Sequence, residues 1–279
     1  MSDQKFTVSA IQMASGPNVG ANLLKAEKLI EMAVDDGSQL IVLPENFACM
    51  GMTPTDHVAI KEVEGDGPIQ TFLAKQAEKH NIWLVGGTVP LSIDNPDKYR
   101  SSALVFNDRG EMVHRYDKTH LFDVKVVGSD EEYIESATIE AGNQMGVVDT
   151  PFGKLGVAIC YDLRFPEIFR MLLEQGMEIL ALPSAFTAIT GKAHWEILVR
   201  ARAIENLSYV IAADQGGFHI NGRETYGHSL IVDPWGNALN ELSSGAGAVT
   251  VDINRESLER VREQFPAISH RRIHCRCDD

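Results

Sequence analysis

Two short segments, LIVLPE (40–45) and ILALPS (179–184), restrict the possible folds more than any other feature of this sequence. Each is an apolar strand that stops at a proline, and each lies between stretches of helical period. Ahead of the first, residues 22–33 place Leu23, Ala26, Leu29, Ile30 and Ala33 on one helical face, which ends by Gly37. Beyond it, residues 67–80 do the same with Ile69, Phe72, Leu73 and Ala77, with Pro68 in the first turn. With the alternating run FTVSAIQM (6–13), a strand at 39–43 and another at IWLVGGTV (82–89), the first third reads β-α-β-α-β. A hairpin follows, 101–106 and 111–116 around Asn107-Asp-Arg-Gly110. Residues 118–142 have little periodicity and read as a long, partly ordered loop over the site. The opening pattern then returns, with strands at 155–160, 178–183 and 209–213 separated by helices at 167–174 and 194–206. Strands around the turn Asp233-Pro-Trp-Gly236 and a helix at 255–264 close the chain. Two sheets packed face to face, each covered on its outside by helices, satisfy both halves within one domain spanning 1–279. A chain of 279 residues that is 44% hydrophobic can bury such a core.

Charge narrows the partners. The formal net charge of −14 has the wrong sign for nucleic acid or an anionic membrane surface. No apolar run is long enough to span a bilayer, and the opening residues are too polar for a signal peptide, so a soluble, cytoplasmic protein is expected. The four cysteines, Cys49, Cys160, Cys275 and Cys277, are too few and too unevenly spaced for a disulfide framework. Cys275 and Cys277 lie near His270 and His274, but a single residue separates them, which does not match the spacing of a zinc site. Neither a Gly-rich phosphate loop nor an HExxH pattern is found, so no metal and no organic cofactor is expected.

The chemistry-bearing stretch is KLGVAICYDLRFPE (154–167). A β-branched run delivers Cys160 to a turn that opens a helix near Pro166, and the carboxyl ends of strands are where open α/β sheets bind ligands. Taken alone, a cysteine in this place is more often a small buried hydrophobe. Glu45 also follows a strand, and a carboxylate held out of water can take a thiol proton. Lys118 follows the hairpin strand that feeds the same end, where an ammonium can meet the oxyanion of an attacked carbonyl. Glu135 is a second carboxylate near enough in sequence to position that lysine. Each of these residues has a bland reading by itself: a cap, a solvated hairpin lysine, a loop acid.

Together the segments carry a resemblance that covers almost the full chain. LPENF (43–47), RYDKTHLFD (115–123), Glu135-Ser136 and GVAICYDLRFPE (156–167) resemble, in order and rough separation, the nitrilase or carbon–nitrogen hydrolase superfamily. PSAFTAITG (183–191), AHWE (193–196), RARAIE (200–205), YGHS (226–229) and VDPWG (232–236) are similar to its Nit branch. Within that branch they look like the amidases of deaminated glutathione rather than the omega-amidases that act on 2-oxoglutaramate. The tail IHCRCDD departs from the branch.

The resemblance implies a four-layer α-β-β-α sandwich and thiol-based hydrolysis of a non-peptide C–N bond in a small acidic amide. Carried onto this sequence, Glu45 becomes the general base, Lys118 the oxyanion stabiliser, Cys160 the nucleophile and Glu135 the supporting glutamate. A homodimer or higher homo-oligomer is implied as well. The backbone N–H of Tyr161 is a second oxyanion donor by this reading, and Phe186, Thr187 and Thr190 shape the acyl pocket. Arg164 is the candidate for a substrate carboxylate, with an internal ion pair to Glu167 or another framework acid as the competing role. Cys160→Ala, Glu45→Gln and Lys118→Ala are each expected to lose most turnover and keep the fold. Two other classes fit parts of the sequence: a non-catalytic interaction protein on a hydrolase scaffold, and a cysteine acyltransferase or redox-responsive thiol protein.

Overall fold

The computed structural model describes residues 5–274, so Cys275 and Cys277 lie outside the described residues. The first half supplies β1 (Lys5–Gln12), α1 (Val19–Asp35), β2 (Leu40–Val42), a single turn α2 (Asp56–Ala59), α3 (Pro68–His80), β3 (Trp83–Val85), β4 (Val89–Ser92), β5 (Tyr99–Phe106) and β6 (Met112–Asp117). A small ribbon, β7 (Asp123–Lys125) with β8 (Glu132–Ile134), leads into the second half. There follow β9 (Val147–Thr150), β10 (Gly153–Val157), α4 (Pro166–Glu174), β11 (Ile179–Ser184), α5 (Ala188–Asn206) and β12 (Tyr209–Asp214). A second ribbon, β13 (Gly216–Phe218) with β14 (Glu224–Tyr226), precedes β15 (Ser229–Val232), β16 (Ala238–Leu242), β17 (Gly247–Asn254) and α6 (Arg255–Gln264).

The strand direction sets where side chains converge. In the first sheet β1, β2 and β3 run parallel, while β5 runs antiparallel to β3 and to β6. Two reversals bring β6 back to the direction of β2, so Glu45 and Lys118 leave their strands at the same end. In the second sheet β10, β11 and β12 are parallel, flanked by antiparallel β9 and β15. The sheets meet at their carboxyl ends, where Met13 and Gln215 form a parallel bridge and the Gly216 N–H donates to Met13 O at 3.0 Å.

Alternation along the strands sorts the layers. Val8, Ala10, Leu40, Val42 and Val85 share one buried cluster with the strands of the second sheet. Their neighbours Ile11, Ile41, Leu43 and Leu84 turn the other way, onto Leu29 and Ile30 of α1 and Ile69 and Leu73 of α3. On the far side, Phe169 and Leu172 of α4 and Trp195 and Val199 of α5 cover the second sheet. The result is the four-layer α-β-β-α sandwich. Among the described residues no helix is long and apolar enough to cross a membrane.

Several expectations change in detail. IWLVGGTV is not one strand: β3 and β4 lie end to end along one edge of β5, broken at Gly86-Gly87. Residues 118–142 hold the β7–β8 ribbon and a 3-10 turn at Glu135–Ala137 where a loop was expected. Helix α5 begins six residues ahead of His194, capped by the Thr187 hydroxyl, which accepts from the Thr190 N–H. The β9 strand and the β13–β14 ribbon had no counterpart in the sequence reading.

Candidate active site

Cys160 is not on its strand. β10 ends at Val157, and Cys160 opens a 3-10 turn, Cys160–Arg164, that runs into α4. Its φ of 47° is a left-handed conformation that a side chain with a Cβ adopts only at some strain. Asp162 holds that turn. Its buried carboxylate accepts from the Ile159 N–H at 2.9 Å and the Tyr116 hydroxyl at 2.7 Å, both on Oδ2. Its Oδ1 accepts from the His120 N–H at 3.1 Å and lies 2.7 Å from His120 Nδ1. One carboxylate therefore ties the cysteine turn to the segment on either side of Lys118.

Lys118 lies at the centre and is 1% exposed. Its Nζ donates to Glu45 Oε1 at 2.8 Å and to Glu135 at 2.9 Å. Glu135 is fixed from its other side by the Phe122 N–H at 2.7 Å. Burial works against the ammonium, but the charges of Glu135 and Glu45 outweigh it and hold the lysine pKa well above its ordinary range. The Cys160 thiol lies beside the Glu45 carboxylate and the Ala185 N–H. Burial first, and then Glu45, push its pKa well above the ordinary thiol value against the pull of Lys118, so the resting group is a neutral thiol. The structure thus brings Glu45, Lys118, Glu135 and Cys160 together at one cavity, the first three joined by hydrogen bonds.

The remaining candidates line the cavity above it. Tyr161, Arg164, Phe186, Thr187 and Thr190 border the cavity that holds Cys160 and Glu45. Thr190 sits in the first turn of α5, not on the preceding loop. Arg164 makes no ion pair with Glu167 or any other described residue. Its guanidinium lies 5.2 Å from the Phe186 ring centroid and 5.9 Å from that of Tyr161, and Nη1 donates to His194 Nδ1 at 3.1 Å. No cluster of three or more His, Cys, Asp or Glu side chains suited to a metal ion occurs among the described residues.

Sequence reasoning missed three residues here. Gln215 donates to Glu45 O at 3.0 Å and to Ser15 Oγ at 2.8 Å, and it accepts from the Ser15 N–H at 3.0 Å, fixing the loop that carries the glutamate. Asp162 was within the quoted motif, two residues past the cysteine, yet its role depends on Tyr116 and His120 from a distant segment. Arg223, before β14, reaches the same cavity from the second ribbon and left no local pattern to find.

A thiol, a carboxylate and an ammonium thus meet at the converging strand ends of an α-β-β-α sandwich. The chain belongs to the carbon–nitrogen hydrolase family, whose model matches residues 7–263. It is 40% identical over 267 residues to the deaminated glutathione amidase of Yersinia enterocolitica, spanning 95% of this chain and 93% of that one. The mouse deaminated glutathione amidase is 38% identical over 268 residues, covering 95% of this chain and 83% of its own. Among solved structures, Saccharomyces cerevisiae Nit3, a member of branch 10 of the nitrilase superfamily, superposes with a TM-score of 0.86 at 32% identity over 97% of each chain.

Proposed function

We propose that this carbon–nitrogen hydrolase is an amidase of deaminated glutathione, releasing 2-oxoglutarate and Cys-Gly. The observation that carries the reading is the Lys118 ammonium held between Glu45 and Glu135, with the Cys160 thiol in the same cavity as Glu45. The relatives named for that substrate supply its identity.

The geometry supports the following sequence. Glu45 takes the proton of Cys160 as the sulfur attacks the amide carbonyl, so a thiolate forms only as it is used. An ammonium has three N–H donors, and Lys118 commits two of them to carboxylates. The third, with the Tyr161 N–H, is available for the tetrahedral oxyanion. The C–N bond breaks, the leaving amine takes the proton from Glu45, and an acyl thioester remains on Cys160. Water then gives a proton to Glu45 and attacks the thioester, and the departing sulfur recovers that proton. Arg164, over Phe186 and next to the thiol turn, serves the acyl carboxylate.

The decisive experiment is kinetics on deaminated glutathione beside 2-oxoglutaramate, together with the intact mass of the protein after a short substrate pulse. A higher kcat/KM on deaminated glutathione and an acyl adduct on Cys160 are expected, with Cys160→Ala losing both. Faster turnover of 2-oxoglutaramate would move the protein to the omega-amidase reading. Unaltered turnover in Cys160→Ala would refute the thiol mechanism. The reading also carries a homodimer. Ile197 and Ile204 are exposed on the outer face of α5, beside the turn that carries the exposed Trp235. Light scattering at micromolar concentration should give twice the chain mass.

A further inference from the structure

The centre of this site is poorly suited to an acidic substrate. Two carboxylates surround one ammonium, which leaves the centre with an excess of negative charge. A second cleft, of about 280 Å³, adjoins the Cys160 cavity and adds Glu132 to Glu45 and Glu135 on its wall. His57 also lines it, but burial holds that imidazole below its ordinary range and so neutral at physiological pH. Against this background a second arginine, besides Arg164, has no acidic partner among the described residues. Arg223 lines both the Cys160 cavity and the second cleft. Its guanidinium lies 4.7 Å from the Tyr133 ring centroid and donates weakly to Met50 Sδ at 3.6 Å. Its Nε is buried with no hydrogen-bond partner, and it takes part in no ion pair among the described residues.

The arginine is also held rigidly. The turn between β13 and β14 is closed by the His219 N–H on Arg223 O at 2.9 Å, and the Arg223 N–H donates to Asn221 Oδ1 at 3.0 Å. His219 is in turn fixed between Ser15 O at 2.8 Å and Thr225 Oγ1 at 2.7 Å. A guanidinium on a pinned turn, with a dry donor left unpaired, is an arrangement that an anionic oxygen completes. Direction follows from the chemistry. Glu45 hands the leaving amine its proton, so the amine departs on a side that Glu45 faces. Glu45 and Arg223 both line the second cleft, whereas Cys160 and Arg164 do not. The acyl group therefore stays with Arg164, and the leaving amine exits toward Arg223.

We propose that Arg223 reads a carboxylate on the leaving amine, which makes the enzyme selective for amides whose amine half is itself an acid, such as a dipeptide with a free C-terminus. This rests on the amidase reading above and adds the substrate's second charge to it. Arg223 is thus a specificity residue, distinct from the groups that touch the reacting atoms.

The test compares deaminated glutathione with its C-terminal carboxamide in the full-length wild type, Arg223→Gln and Arg223→Lys. The wild type should prefer the free acid by about 10- to 100-fold in kcat/KM, the worth of a charge-assisted hydrogen bond. Arg223→Gln should bring that ratio near unity, chiefly through KM, and Arg223→Lys should restore part of it. A ratio unchanged in Arg223→Gln overturns the assignment, and so does an equal loss on both amides with a lowered Tm, which would mark a structural role. A wild type that hydrolyses neither amide removes the deaminated-glutathione reading itself, a result separable from the other two because it needs no variant.

Discussion

Lys118 is the side chain whose removal should be felt in stability as well as in turnover. Sequence alone suggests that Lys118→Ala, Glu45→Gln and Cys160→Ala would behave alike. The geometry separates them, because Lys118 is the shared partner of two carboxylates and is itself buried, as is Glu45. Without it Glu45 and Glu135 face each other with no cation, and breaking a buried pair in this way costs about 3 to 5 kcal/mol. Glu45→Gln leaves the Lys118–Glu135 pair intact, and Cys160→Ala removes only a thiol, so both should stay within about 1 kcal/mol of wild type. Urea unfolding of the three variants checks the order, and equal midpoints would contradict the central place given to the lysine. The same residues show what a sequence can disclose at this scale. Glu45, Lys118, Glu135 and Cys160 were recognisable because four segments recur in a fixed order. Arg223 and Gln215 were not, because what marks them is an unpaired buried nitrogen and a contact across the gap between sheets.

At the scale of elements, the junction of β3 and β4 is where the fold presses on the site. Gly87 has a φ of 55°, and a Cβ there would lie 2.2 Å from Pro44 O and 2.9 Å from the Phe47 ring. Pro44 to Phe47 is the loop that presents Glu45. Gly87→Ala must displace one loop or the other, so it should lower stability by about 1 to 3 kcal/mol and reduce kcat by displacing the base. A Tm scan with steady-state kinetics checks both, and a wild-type kcat in a destabilised variant would show that the loop yields elsewhere. The Gly-Gly pair was visible in IWLVGGTV, and a glycine pair in a strand pattern signals a break. Other elements were harder to read for a physical reason. The two ribbons and β9 are three or four residues long, and pairing with a partner defines them more than any period of their own. The start of α5 was hidden by Thr190 and Gly191, poor helix formers, although Thr187 three residues ahead of Thr190 is a capping signal.

For the whole molecule, the chain's return at β17 matters most. After β16 in the second sheet the chain crosses back and pairs along eight residues with β1, from Lys5↔Asn254 to Gln12↔Gly247. Neither sheet can melt without exposing the other's inner face, so we expect one cooperative transition whose calorimetric and van't Hoff enthalpies agree. Its pH dependence has a definite sign. Cys49 is buried, and burial first, then Asp56, push its pKa up to about 11 from an ordinary 9.0. Cys160 is raised well above the same ordinary value and Lys118 above its own, so all three hold protons in the folded state after the unfolded chain has released them. A folded state that binds more protons loses stability as pH rises, here from about pH 9 upward. Cys49 alone accounts for at most about 2 kcal/mol across that window, and less to the extent that water reaches the thiol. Thermal melts between pH 7 and 11 should therefore hold level to about 9 and then fall. Cys49→Ala and Cys160→Ala should each flatten the fall, and additively, because each removes one group that resists ionisation. A wild-type Tm that stays level to pH 11 would mean that these thiols ionise in the fold as freely as in the open chain, and the neutral resting state assigned to the nucleophile would go with it.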